Sequence, residues 1–166
     1  MPTNNYPKLH NASWPGVVGK GPGSEPAISL DKMIELTVNA SVDGVKFDGF
    51  DLFLADPHMD IDSSEDDIKR MAEKAQANEL DIGSVIAPVW TPTGGGSAMG
   101  SKAERDQFVS QVHKACKIAL KLRDLGVRPN GIVRIDSSCD PSAWAADPVR
   151  NTELIAQTFR TNNEDH

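Results

Sequence analysis

Residues 91–105, TPTGGGSAMGSKAER, set Gly94, Gly95, Gly96, Ser97 and Gly100 directly before the pair Ser101-Lys102. A glycine-rich loop that opens onto a helix N-terminus can offer its backbone N–H groups to an anionic or polyhydroxylated ligand. Gly95 and Gly100 have the separation of a phosphate-binding Walker loop, but Ser-Lys reverses the required Lys-Ser/Thr order. The lysine then falls one position late and a helix-capping serine takes its place. No three glycines in GGGSAMG or GKGPG have the spacing of the dinucleotide fingerprint. Two readings stay open: a ligand-touching loop, or a connector that uses glycine geometry. The length from Thr91 to Gly100 exceeds what a plain strand-to-helix connection needs.

The segment GIVRIDSS adds charge to an apolar strand pattern. If Val133 and Ile135 pack under helices, Arg134 and Asp136 share the opposite face, which in a closed barrel is its interior or its mouth. Charges there must be paired or ligand-bound, so a structural Arg-Asp pair is the competing reading. By the same parity Asp51 points to that side and is a candidate partner for Arg134. His58, in ADPHMD, follows the strand that contains Asp51. Lys20 in VGKG and Trp90 in PVW end two further strands, and Trp90 suits either an aromatic wall for a sugar ring or a structural plug. Lys20, His58, Trp90, Ser97, Arg134 and Asp136 are therefore the candidate substrate-side residues, with Gly94, Gly95 and Gly96 touching ligand oxygens. His113 sits in a lysine-dotted helix and reads as surface. No H-E-x-x-H or His/carboxylate cluster has metal-ligand spacing.

These residues need elements to hold them. GVVGKG is expected to form a short first strand, and SLDKMIELTVNA a helix with Met33, Ile34, Leu36 and Val38 as its stripe and Asp31 in its first turn. A strand is expected over about Gly49–Leu54, with Phe50, Leu52 and Leu54 on one face and Asp51 and Phe53 on the other. SSEDDIKRMAEKAQANEL predicts a helix capped by Ser63 or Ser64, and DIGSVIAPVW a buried strand. Ser101 and Glu104 form a capping box for a long helix with Phe108, Val112, Ala115, Cys116, Ala119 and Leu122 at helical spacing and Gly126 as its stop. GIVRIDSS follows as a strand, then a helix with Asp147 as cap and Pro148 at its first position. The tail TNNEDH carries no structure signal. Strands alternating with helices predict α/β architecture with a parallel sheet, either doubly wound or one half of a barrel.

The formal net charge of −7 over 166 residues argues against a broad grip on nucleic acid or an anionic membrane. No apolar run approaches the ~20 residues of a membrane span, and the first residues lack a signal-peptide pattern, so a cytoplasmic location is expected. Cys116 and Cys139 match no zinc or disulfide framework and read as free thiols, with Cys116 as core filler. Asn11-Ala-Ser13 and Asn39-Ala-Ser41 match the glycosylation sequon; without a secretion signal they read as chance matches.

Taken in order, GFDLFLADPHMDID, IGSVIAPVWTPTGGGSAMGS, GIVRIDSS and NTELIAQTFR resemble the sugar phosphate isomerase/epimerase-like family, which has the xylose-isomerase-type TIM barrel. The likeness runs from about Trp14 to Arg160. It implies a (β/α)8 barrel of which this chain, residues 1–166, holds about the first four βα units as a single partial domain, with 161–166 a disordered or divergent tail. It implies hydrogen transfer between adjacent carbons of a small-molecule sugar or sugar phosphate, assisted by a divalent metal (Mn, Mg, Co or Zn) whose ligands lie on later strands, outside this chain. A half-barrel has open strand edges, so a homo-oligomer is possible. The alternatives are a non-catalytic α/β module that binds an anion or sugar, and a nucleotide hydrolase using GGGSAMGSK.

Overall fold

The structure, a computed structural model, describes residues 8–12, 26–89, 94–128, 132–135 and 148–164, with the side chains of 159 and 161–164 left aside. The helices begin where short polar side chains can take up orphan N–H groups. In α1 (Leu30–Asn39) the Ser29 hydroxyl accepts from the Lys32 N–H at 3.2 Å. For α2 (Glu65–Ala77) the cap is Ser64, and the Asp67 carboxylate returns the bond to the Ser64 N–H at 3.0 Å. The long helix α3 (Lys102–Asp124) carries the capping box expected of Ser101 and Glu104, whose carboxylate accepts from the Ser101 N–H at 2.7 Å. Gly126, at φ 80, follows its C-cap Leu125. Helix α4 (Pro148–Glu164) starts at the proline as expected but continues past Arg160 into the supposed tail. Residues 161–164 contain neither glycine nor proline, so nothing in them breaks an established helix.

Four strands form one parallel sheet: β1 (His10–Asn11), β4 (Gly49–Phe53), β5 (Asp81–Ile86) and β6 (Val133–Arg134), in that order. Among the described residues β1 comes first, and the strand expected at GVVGKG lies outside them. Asp48 fixes this pairing: its N–H donates to the Leu9 carbonyl at 2.8 Å, and its carboxylate accepts from the Leu9 N–H at 2.7 Å. Between α1 and β4 stands a hairpin, β2 (Ser41–Val42) with β3 (Val45–Lys46). Its turn residues Asp43 and Gly44 have φ of 52 and 81, the geometry for which Asp-Gly is favoured.

The strand order never reverses among the described residues, whereas a doubly wound sheet requires a reversal. With right-handed crossovers, an unreversed parallel order puts successive connecting helices on the same face. The helices and strands share one core, with Phe50, Leu52, Phe53, Leu54, Ile82, Val85 and Ile86 all at 0% exposure. Simple alternation fails at Phe53, expected beside half-buried Asp51 yet fully enclosed. Parallel strands are commonly covered on both faces, and here the carboxyl ends of β4 and β5 are. On α3, Phe108, Ala115, Ala119 and Leu122 are buried as the spacing predicts. Cys116 is only half-buried; Gln111 takes a core position instead, and His113 is half-buried rather than surface.

Candidate functional site

The chemistry-bearing face of the sheet is shaped by an irregularity. Phe50 pairs with Ile82 and Leu52 with Val85, so Asp51 alone stands opposite both Gly83 and Ser84. This bulge displaces a backbone donor, and the Asp51 carboxylate accepts the Ser84 N–H at 2.8 Å. Gly83 leaves the space above it open. A Cβ there would run into the His10 ring nitrogen Nδ1, and would lie 2.5 Å from the Asp51 Oδ1. The same imidazole lies over Gly49, where a Cβ would sit 2.9 Å from its Cδ2. Two glycines on neighbouring strands therefore seat His10 beside Asp51.

A cleft of about 710 Å³ runs along this face, lined by strand residues and their flanks, with Lys8, His10, Asp51, Ser84 and Arg134 as its polar side chains. Lys8, at one end, is ion-paired with Asp81, and that hydrogen bond raises its pKa above the ordinary lysine value. Arg134 is exposed and stands at the other end, in register with Ile86, itself paired to Phe53. Arg134 and Asp51 thus line the same cleft, as parity requires. The His10 Nε2 is buried and has no hydrogen-bond partner among the described residues. An imidazole and a carboxylate side by side can accept and return a proton, and a guanidinium can hold an anionic or hydroxyl oxygen. His10 escapes sequence reading because its strand is two residues long, too short for any periodicity.

Of the other expected residues, the described ones are not gathered there. Ser97 is 2% exposed, and its hydroxyl accepts from the Met99 N–H at 3.2 Å within the loop itself. The glycines pack against α3: the Gly94 carbonyl accepts from Gln107 at 3.1 Å and Gln111 at 3.3 Å, and a Cβ on Gly96 would lie 2.7 Å from the Phe108 nitrogen. The Thr158 hydroxyl of α4 donates to the Ala98 carbonyl at 3.0 Å, so the loop is clamped from two helices. Lys102 pairs with Asp106 at 2.6 Å along the helix, as a residue beyond the cap should. Lys20, Trp90 and Asp136 lie outside the described residues.

His58 sits elsewhere, in a cavity of about 400 Å³ between the start of α1 and α2. Burial lowers its pKa from the ordinary 6.5, an effect that the Ile28 backbone offsets in part. The unfolded chain then binds a proton that the folded protein refuses, so stability is fully present above pH 6.5 and declines as pH falls toward the lowered value. Denaturation midpoints taken between about pH 7.5 and 5.5 should drop further for the wild type than for His58→Gln, which does not titrate there.

Asn11, of the first sequon, donates its side-chain amide to the Thr37 hydroxyl at 2.8 Å and ties β1 to α1. Among the described residues no helix is long and apolar enough to cross a membrane. Nor do three His, Cys, Asp or Glu side chains there come together to hold a metal ion. Fold and site define a mixed α/β protein with a four-stranded parallel sheet and a charged cleft along its strands. No protein-family model, curated protein or solved structure matches the chain.

Proposed function

We propose that this chain forms the opening βα units of a xylose-isomerase-like TIM barrel, and that it belongs to an isomerase or epimerase acting on a sugar or sugar phosphate. The observation that carries the reading is the unreversed parallel order β1-β4-β5-β6 with a charged cleft on the strands, as the first half of a barrel requires. In this reading Arg134 holds a phosphate or hydroxyl oxygen of the ligand, and His10 and Asp51 carry the proton transfer at a carbon-bound hydroxyl. Lys20, Trp90 and Asp136 belong to the same proposal as further ligand contacts. The divalent metal of that enzyme class would take its ligands from outside the described residues, and the roles given to His10, Asp51 and Arg134 do not depend on it.

Calorimetric titration with an aldopentose 5-phosphate tests the reading. Saturable binding is expected, and Arg134→Met should weaken it about ten- to a hundredfold, the worth of a hydrogen bond to a charged group at about 1.5–3 kcal/mol. Equal affinity in the two proteins, or no saturation, would sink the proposal.

A further inference from the structure

The register shift between β4 and β5 also sets the direction of a serine. Phe50 pairs with Ile82 and Leu52 with Val85, so Ile82 and Val85 share one face of the sheet. Between them stand Gly83 and Ser84, two residues where regular alternation allows one. Both are therefore turned to the opposite face, the one that carries Asp51. Ser84 is half-buried and lines the cleft on that face. Its N–H is taken by the Asp51 carboxylate at 2.8 Å, while its hydroxyl makes no hydrogen bond to the described residues.

In the sheet order β1-β4-β5-β6, His10, Asp51, Ser84 and Arg134 stand on four successive strands, and all four line the cleft. Neighbouring strands are about 4.8 Å apart, so the strands of Asp51 and Arg134 are about 10 Å apart with that of Ser84 between them. A ligand with its phosphate at Arg134 and its reacting carbons at His10 and Asp51 must pass over Ser84. A serine hydroxyl both donates and accepts, so it can pair with a sugar hydroxyl in either sense. A half-buried hydroxyl that its own chain leaves unbonded is compensated when a ligand supplies the partner.

We propose that Ser84 is a specificity-determining residue of the cleft, whose hydroxyl reads the C3 hydroxyl of a pentose 5-phosphate and favours it over a 3-deoxy sugar. The assignment rests on the isomerase reading, which puts C1 and C2 at His10 and Asp51 and the phosphate at Arg134. C3 follows C2 along the ligand as the strand of Ser84 follows that of Asp51 across the sheet.

The test is a calorimetric cycle of two ligands, D-ribose 5-phosphate and its 3-deoxy counterpart, on the full chain and on Ser84→Ala. The wild type should bind the ribose ester about two- to tenfold more tightly than the 3-deoxy ester, the span of one neutral hydrogen bond. Ser84→Ala should lose that preference by binding the ribose ester more weakly and the 3-deoxy ester unchanged. Ser84→Thr, which keeps a hydroxyl, should retain it. Equal weakening of both ligands in Ser84→Ala would make the serine a support for the strand alone and overturn the proposal. So would a wild type without the preference, or an alanine variant that keeps it. Any of these results, with Arg134→Met still weakening the ribose ester, would leave the isomerase reading in place. Absence of saturable ribose-ester binding to the wild type would overturn both.

Discussion

Phe108→Ala is expected to destabilise the protein by about 3–5 kcal/mol, the cost of removing a buried aromatic ring and leaving a cavity. Phe108 is fully enclosed on α3, in the cluster that includes Ile86 and Leu122. Its backbone is also the surface against which Gly96 rests, so the glycine loop should open as the helix loosens. Urea titration reads the first effect, and faster proteolysis within residues 94–100 under native conditions reads the second. Ile132, 56% exposed, makes the control: Ile132→Ala should stay within about 0.5 kcal/mol of the wild type.

Gly96→Ala should cost about 3 kcal/mol, from two separate causes. At φ 101 the backbone is in a region an L side chain rarely adopts, and the new Cβ would lie 2.7 Å from the Phe108 nitrogen and 2.9 Å from its Cα. Neither obstacle is a flexible side-chain end that could swing away. Gly95, at φ 72 with open space around it, bears only the backbone strain, so Gly95→Ala should lose clearly less. Equal midpoints for the two variants in urea would show that the loop does not rest on α3. Because Gly96 and Phe108 touch, the double variant with Phe108→Ala should fall short of the sum of the single losses.

Both variants concern a loop whose glycines admit two uses in the sequence, ligand contact or packing. The structure shows the packing use: Gln107, Gln111 and Thr158 hold the loop's carbonyls. Gln111 carried the only available signal, a polar residue on the apolar stripe of a helix, and that pattern does not say what the amide will meet. The site divides in the same way. Arg134 and Asp51 fall in one cleft because side-chain parity along a strand is local geometry. His58, also near a strand end, goes to a separate cavity because the chain after β4 turns toward α1 and α2.

By itself the sequence determined the helices, the caps of α2 and α3, and the alternation of strand and helix. Ser64 with Asp67, and Ser101 with Glu104, close hydrogen bonds within four residues, so the needed information is contiguous. Tertiary structure alone decided that His10–Asn11 pairs with β4, that Phe53 is buried and that His10 lies beside Asp51. Those outcomes depend on which distant segments pair and on a bulge that shifts one strand against the next. A two-residue strand has no pattern of its own, and its place is set by Asp48 and by the space that Gly49 and Gly83 leave open.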